Sequence, residues 1–346
     1  MQLHEFIKPV VASGKYKKNH LGSRIKQWNR EALPENAIII LGVSNYDGQT
    51  NNLGAIRTEL YTFFASGNNK DIIDLGNVIS LNEKDQSEVM TFLLNESRKT
   101  NSLLIILTEE QQHLSFLYKQ TVNQDLLVIS EKLINNSKNS PLLKKQDSNL
   151  YYLGVQSYYL DPELCKKGRP VVCRLGQIRD GLYETEPYFR MVTAAEIDLN
   201  AVRFSDFPQG KNPNPNGLYA EELCQLAWFA GNSETLNCAV LNGYTNELSA
   251  SKSSLRLVAQ AIWHIISGAE SRQDYLPTQN PEKFKEIHLQ NTKIPEQLIV
   301  YKSKLNGKHW LKFGKDDKII PCTSKDMDDL LQNNINDRIW SLMGLL

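Results

Sequence analysis

The 346-residue chain lacks an apolar run of 18 residues, a Cys-x-x-Cys pair, an internal repeat, a low-complexity tract and an excess of either charge. Each absence excludes something. Without a long apolar run, no membrane-spanning helix is expected. The opening Met-Gln-Leu-His-Glu-Phe-Ile-Lys has no uninterrupted apolar core, which argues against a secretory signal. The five cysteines, Cys165, Cys173, Cys224, Cys238 and Cys322, are odd in number and widely spaced, as in a reducing cytoplasm where buried thiols act as small hydrophobes. Lys+Arg and Asp+Glu both number 39, so no global attraction to nucleic acid or anionic membrane is expected. The cluster Lys15-Tyr-Lys-Lys18 reads as solvated surface. Of the six histidines, His4, His20, His264, His288 and His309 show no ligand spacing.

What the chain does have is alternation. Hydrophobic residues make up 41% and charged residues 23%, values of an ordinary globular protein with one large domain or a domain plus appendage. Ala37–Val43, Ile72–Leu75, Ser102–Leu107, Leu126–Ile129, Tyr151–Val155, Val171–Leu175, Met191–Asp198 and Cys238–Leu241 are short apolar runs that predict buried strands. Between them, Asn51–Ala65, Glu83–Arg98, Gly217–Ala230 and Ser253–Gly268 carry apolar residues at helical spacing, with Asn216 placed to cap the third and Gly268 to end the fourth. Strand alternating with helix implies a mostly parallel sheet covered on both faces. After Ala269 the texture changes. Pro277, Pro281 and Pro295 punctuate a linker, then Gln297–Tyr301 and His309–Phe313 flank Asn306-Gly307, a hairpin signal. The expected organisation is an N-terminal extension (1–30), an α/β domain (31–272) and a C-terminal hairpin-and-helix appendage (273–346).

The stretch Ala-Glu-Ile-Asp198-Leu-Asn200, followed by Pro215-Asn-Gly-Leu-Tyr-Ala-Glu-Glu, resembles the metal-binding end of the arginase/ureohydrolase family, in particular its formimidoylglutamase-like branch of Bacteroidota. The resemblance runs in order over residues 30 to 270, and Lys308-His-Trp310 and Asp337-Arg-Ile-Trp340 extend it into the tail. It implies an arginase-like three-layer α/β fold with a small α+β appendage. It also implies two manganese ions held by Gly-Gly-x-His, Asp-x-His-x-Asp and Asp-x-Asp motifs, activating water against an amidine carbon.

Laid on those motifs, this chain resembles a degenerate member. Gln112 stands at the histidine of Thr-Glu109-Glu110-Gln-Gln112-His113-Leu-Ser-Phe. Ser130, Lys132 and Ile134 fill the Asp-x-His-x-Asp slot. Asn200 replaces the second acid of Asp-x-Asp, so Asp198 alone survives of six ligand positions. Gly243 stands where the resemblance implies an acid that pairs with substrate, and Glu247 reads as a solvated loop residue. A lysine 4 Å from a dication costs roughly 8 kcal/mol even at an effective dielectric near 20. No metal and no cofactor are therefore expected, and no catalytic residue beyond the weak candidates Asp198 and His113.

Rival readings are more ordinary. Glu109, Glu110 and His113 beside Asp198 could make a single-metal site, though a solvated loop is favoured. Cys165, Cys173 and Cys224 read as buried thiols rather than nucleophiles. Gly42 and Gly48 flank Ser44-Asn-Tyr-Asp without phosphate-loop spacing. The expected function is binding by an inactive, cytoplasmic ureohydrolase-fold protein, with a protein partner or self-association and with Trp310 and Trp340 as exposed anchors. An active formimidoylglutamase-like or agmatinase-like hydrolase remains an alternative. A small-molecule sensor holding an anion between Lys132 and Asn200 is the other.

Overall fold

The structure is a computed structural model that describes residues 3–10, 14–29, 32–43, 52–67, 70–78, 83–109, 125–133, 149–160, 162–163, 165, 170–273, 275–291, 294–313 and 319–342. Continuous β-branched and leucine runs form the strands. These are β3 (Ile38–Val43), β4 (Ile72–Val78), β5 (Leu103–Thr108), β6 (Leu126–Ile129), β7 (Leu150–Val155), β8 (Val171–Arg174), β9 (Ala194–Asp198) and β10 (Cys238–Asn242). They lie in the order β4-β3-β5-β10-β9-β6-β7-β8, every neighbour parallel. The segment read as an N-terminal extension joins this sheet, because β1 (Ile7–Lys8) pairs antiparallel and β2 (Ile25–Gln27) parallel with β4.

Both faces are covered, as continuous apolar strands require. Ile38, Ile40, Leu103, Ile105 and Leu107 pack into one core with α1 (Asn52–Leu60), α3 (Leu175–Asp180), α5 (Ala220–Asn232) and α6 (Lys252–Ser271). Ile39, Leu41, Leu104 and Ile106 face the opposite core with α2 (Glu83–Lys99). Helix α5 starts later than its spacing predicts. Its first turn is closed by the Tyr219 N–H donating to Glu222 Oε2 at 2.8 Å. Asn216 is not the cap: it stays in the loop, its N–H on Asn214 Oδ1 and its carbonyl accepting from Gln156 Nε2.

Helices α5 and α6 meet backbone to backbone. A Cβ on Gly231 would intrude on the Ile265 carbonyl, and one on Gly268 would intrude on the Trp228 carbonyl and lie 2.9 Å from Asn232 N. Alanine gains about 1 kcal/mol in helix propensity over glycine. Overpacking against rigid backbone costs about 1–3 kcal/mol or more. The clash wins, so Gly268→Ala is expected to lower stability in chemical denaturation by roughly 1–2 kcal/mol net. A more stable variant would contradict this close approach.

The tail holds more structure than its prolines suggest. Four strands, β11 (Phe284–Asn291), β12 (Ile294–Ser303), β13 (His309–Phe313) and β14 (Ile319–Cys322), form an antiparallel sheet. It is followed by α7 (Ser324–Leu331) and α8 (Asp337–Leu342). β11 lies inside the segment read as linker, where Ile287 and Leu289 alternate with polar residues. This sheet is fastened to the main domain through Arg190, at the end of α4 (Glu186–Phe189). Its guanidinium donates to the carbonyls of His309 (3.0 Å) and Cys322 (3.2 Å) and lies 4.6 Å from the Trp310 ring. Lys308 reaches Glu234 at 2.7 Å and Glu186 at 3.5 Å. Burial alone would raise the Glu186 carboxyl, but Arg190 and Lys308 hold it below its ordinary value. Trp310 is therefore no exposed anchor: it is 4% exposed, packed beneath Arg190 and edge-on to Phe284. Trp340 is half-buried.

Candidate functional site

The chain lays down β5, crosses to β6, and only later fills the gap between them with β9 and β10. Crevices form outside carboxyl ends at such points of reversal. Here the ends of β5, β10, β9 and β6 deliver Glu109, Gly243, Asp198 and Ser130-Glu131 to one place.

Asp198 is buried at the end of β9. Its Oδ1 accepts from the Asn200 backbone N–H at 3.0 Å and from Asn200 Nδ2 at 2.7 Å. Asn200 Oδ1 in turn accepts the Asn212 N–H at 3.0 Å. Gly243 closes the site from the β10 side. Its φ is +88°, and a Cβ there would collide with Asp198 Oδ1 and lie 2.8 Å from Asn200 Nδ2. The position read as a lost substrate acid is thus backbone pressed against Asp198, and Glu247 is exposed.

The loop Gly210-Lys-Asn-Pro-Asn-Pro-Asn-Gly217 fills the crevice. Asn212 Nδ2 and Asn214 Nδ2 donate to the two oxygens of Glu131, at 3.2 and 2.7 Å. Lys211 Nζ donates to the Glu109 carbonyl, and its N–H reaches the Gly243 carbonyl at 3.4 Å. The Glu109 carboxylate accepts from Asn52 Nδ2 at 2.8 Å. The loop is therefore tied to the ends of five strands, β7 included through Gln156.

Of the predicted metal positions, Ser130 is buried with its Oγ donating to the Lys132 carbonyl. Lys132 is about half exposed, its Nζ 3.8 Å from Glu131, so the repulsion expected between it and two dications loses its force. Gln112, His113, Glu110 and Ile134 lie outside the described residues, as does the Ser44–Asp47 stretch with Gly48. Among the described residues, no group of three His, Cys, Asp or Glu side chains is placed to hold a metal ion. The donors among the described residues do not by themselves fit two manganese ions. Asp198 Oδ1 already accepts two hydrogen bonds from Asn200, and neither Ser130 nor Lys132 brings a carboxylate. Four thiols fit their reading as inert, since burial pushes Cys173, Cys238 and Cys322 up to about 12 and Cys224 to about 11, whereas Cys165 is only half-buried.

Sequence reasoning missed Glu131, Asn212 and Asn214. The signal was there in Asn-Pro-Asn-Pro-Asn, three amides on a stiff loop. It also missed Glu196, a charge in the middle of an apolar strand. Glu196 and Asn242 share one face of β9 and β10, and Asn242 Nδ2 donates to Glu196 Oε1. Glu196 Oε2 and Asn242 Oδ1 are buried without a hydrogen-bond partner. A proton on the carboxyl supplies the missing donor, and burial raises the Glu196 pKa well above the ordinary carboxylate range, with Asp198 adding to the shift. A raised folded pKa gives stability that is complete below the unfolded value near 4.3 and lost as pH rises through the folded one. Glu196→Gln should match the parent at about pH 4–5 and melt several degrees higher at about pH 8. Equal melting curves at both pH values would contradict a protonated Glu196.

No family model and no curated protein matches this chain. Solved structures do. The formiminoglutamase of Trypanosoma cruzi, oxidized and with manganese at pH 6.0, is 16% identical with a TM-score of 0.64, over 73% of this chain and 99% of that one. The formimidoylglutamase of Bacillus subtilis is 15% identical with a TM-score of 0.62, over 78% and 98%. The agmatine ureohydrolase of Thermoplasma volcanium is 14% identical with a TM-score of 0.52, over 68% and 90%. The fold is arginase-like. At such identities the likeness speaks for the fold alone, and the arginase-like frame leaves the chemistry of the crevice to be judged from its own residues.

Proposed function

We propose that this chain is a formimidoylglutamase-like member of the ureohydrolase superfamily, of the Bacteroidota type, that has lost hydrolysis and works in the cytoplasm by binding. The observation that carries the reading is at Asp198 Oδ1, where two hydrogen bonds from Asn200 and the close backbone of Gly243 put neutral protein groups where an ion would need an open carboxylate oxygen. The partner is a protein or a second copy of the chain. The surface around the 210–217 loop supports this. Tyr219 is held between the guanidinium groups of Arg179 (4.4 Å) and Arg203 (4.3 Å), and Phe204, Tyr158 and Tyr159 are exposed. Rigid aromatic and arginine side chains are typical binding anchors.

The sensor reading finds little support, because both amide atoms of Asn200 are already engaged. The hydrolase reading is tested by assaying formiminoglutamate, agmatine and arginine with added manganese. No turnover above that of Asp198→Ala is expected. Turnover that Asp198→Ala abolishes would overturn the proposal.

A further inference from the structure

Position 200 has to do two opposite things. It donates to Asp198 Oδ1 through Nδ2 (2.7 Å) and accepts the Asn212 N–H on Oδ1 (3.0 Å). A carboxamide does both, whereas an ionised carboxylate only accepts. An aspartate at 200 would set a second carboxylate oxygen against Asp198 Oδ1 at hydrogen-bond distance, with no donor between them. Two buried carboxylates so close cannot both stay ionised without a cation. Two further contacts press on this point. Asn212 also carries the amide that meets Glu131, and Gly210 lies against Asn200 Oδ1, where a Cβ would be 3.4 Å away.

We propose that Asn200 is a cation substitute: its amide group does for Asp198 and the 210–217 loop what a bound divalent ion would otherwise have to do. Loop closure in this chain is therefore independent of metal. Asn200 is a positioning residue, and the loop it holds is the scaffold of the binding surface proposed above. The inference rests on the reading that Asp198 is not a manganese ligand, but its outcome is separable from the hydrolysis assay.

Native-state hydrogen exchange and thermal unfolding, each with and without manganese chloride, test it. In the parent, the Asn212 amide should exchange far more slowly than an open loop amide, and neither protection nor melting temperature should respond to manganese. Asn200→Asp should melt several degrees lower without metal and exchange the Asn212 amide on the order of ten-fold faster. Manganese should restore part of both losses. Asn200→Ala should show the same losses without the manganese response. Unprotected exchange at Asn212 in the parent would overturn the proposal even if neither variant folds. So would Asn200→Asp with the parent's stability and protection, or Asn200→Asp that is weakened but blind to manganese. Hydrolytic activity of the parent would bear on the proposed function and leave these readouts standing.

Discussion

Asp74→Ala is expected to destabilise the protein by about 3–5 kcal/mol, the cost of leaving a buried charge without its partner. Arg57 on α1 and Asp74 on β4 are both wholly buried and joined by two hydrogen bonds of 2.7 and 3.0 Å. Arg57 also donates to the carbonyls of Leu53 and Gly76 and to Asn77 Oδ1, while the Tyr61 hydroxyl donates to Asp74. Burial pulls the Arg57 guanidinium down, but the adjacent Asp74 charge more than offsets this and holds it protonated. With alanine at 74, that charge has only neutral acceptors. Urea unfolding is the measurement: a stability loss under about 1 kcal/mol would mean that Arg57 finds water or another acid. Asp74→Asn keeps the shape and one acceptor oxygen but loses the charge and the second acceptor, so it should fall between alanine and the parent.

The second large effect is at Gly243. Gly243→Glu returns an acid to the position where resemblance to the formimidoylglutamase branch implies one. It should fail to return function and should instead destabilise the fold. A side chain at a φ of +88° is strained, and its Cβ would collide with Asp198 Oδ1. Backbone strain and overpacking contribute about 1–3 kcal/mol each, so a loss of roughly 3 kcal/mol or more is expected. Gly243→Ala should show most of that loss, because the collision begins at Cβ. If both variants kept the parent's melting temperature, the backbone at 243 would have room for a side chain beside Asp198, contrary to this close approach.

Much of the frame was legible from sequence. The apolar runs at Ile38–Val43, Leu103–Thr108 and Leu126–Ile129 lie buried on both faces of a parallel sheet, and nothing but a strand suits such a run between glycine or polar ends. Helix α6 followed its periodicity but does not end at Gly268: it runs on to Ser271, because Gly268 serves the close approach to α5 and not a C-cap. The tail was harder. Strand β11 alternates weakly and sits among prolines, so period alone did not reveal it, and the burial of Trp310 depends on Arg190, 120 residues away in sequence. The crevice was half legible. Asn200 and Gly243 were visible as departures from an acidic pattern, but what they do instead depends on contacts made across the fold. That Asn200 binds Asn212, or that Glu131 rather than Lys132 faces the loop, follows from where five strands end and not from any local spacing.

On the proposed function, Asp198 is held by protein groups and not by metal. Elemental analysis of protein equilibrated with excess manganese and then dialysed tests it most directly. Far less than one manganese per chain is expected, unchanged in Asp198→Ala. About two per chain, the occupancy of a binuclear site, lost on Asp198→Ala, would contradict it.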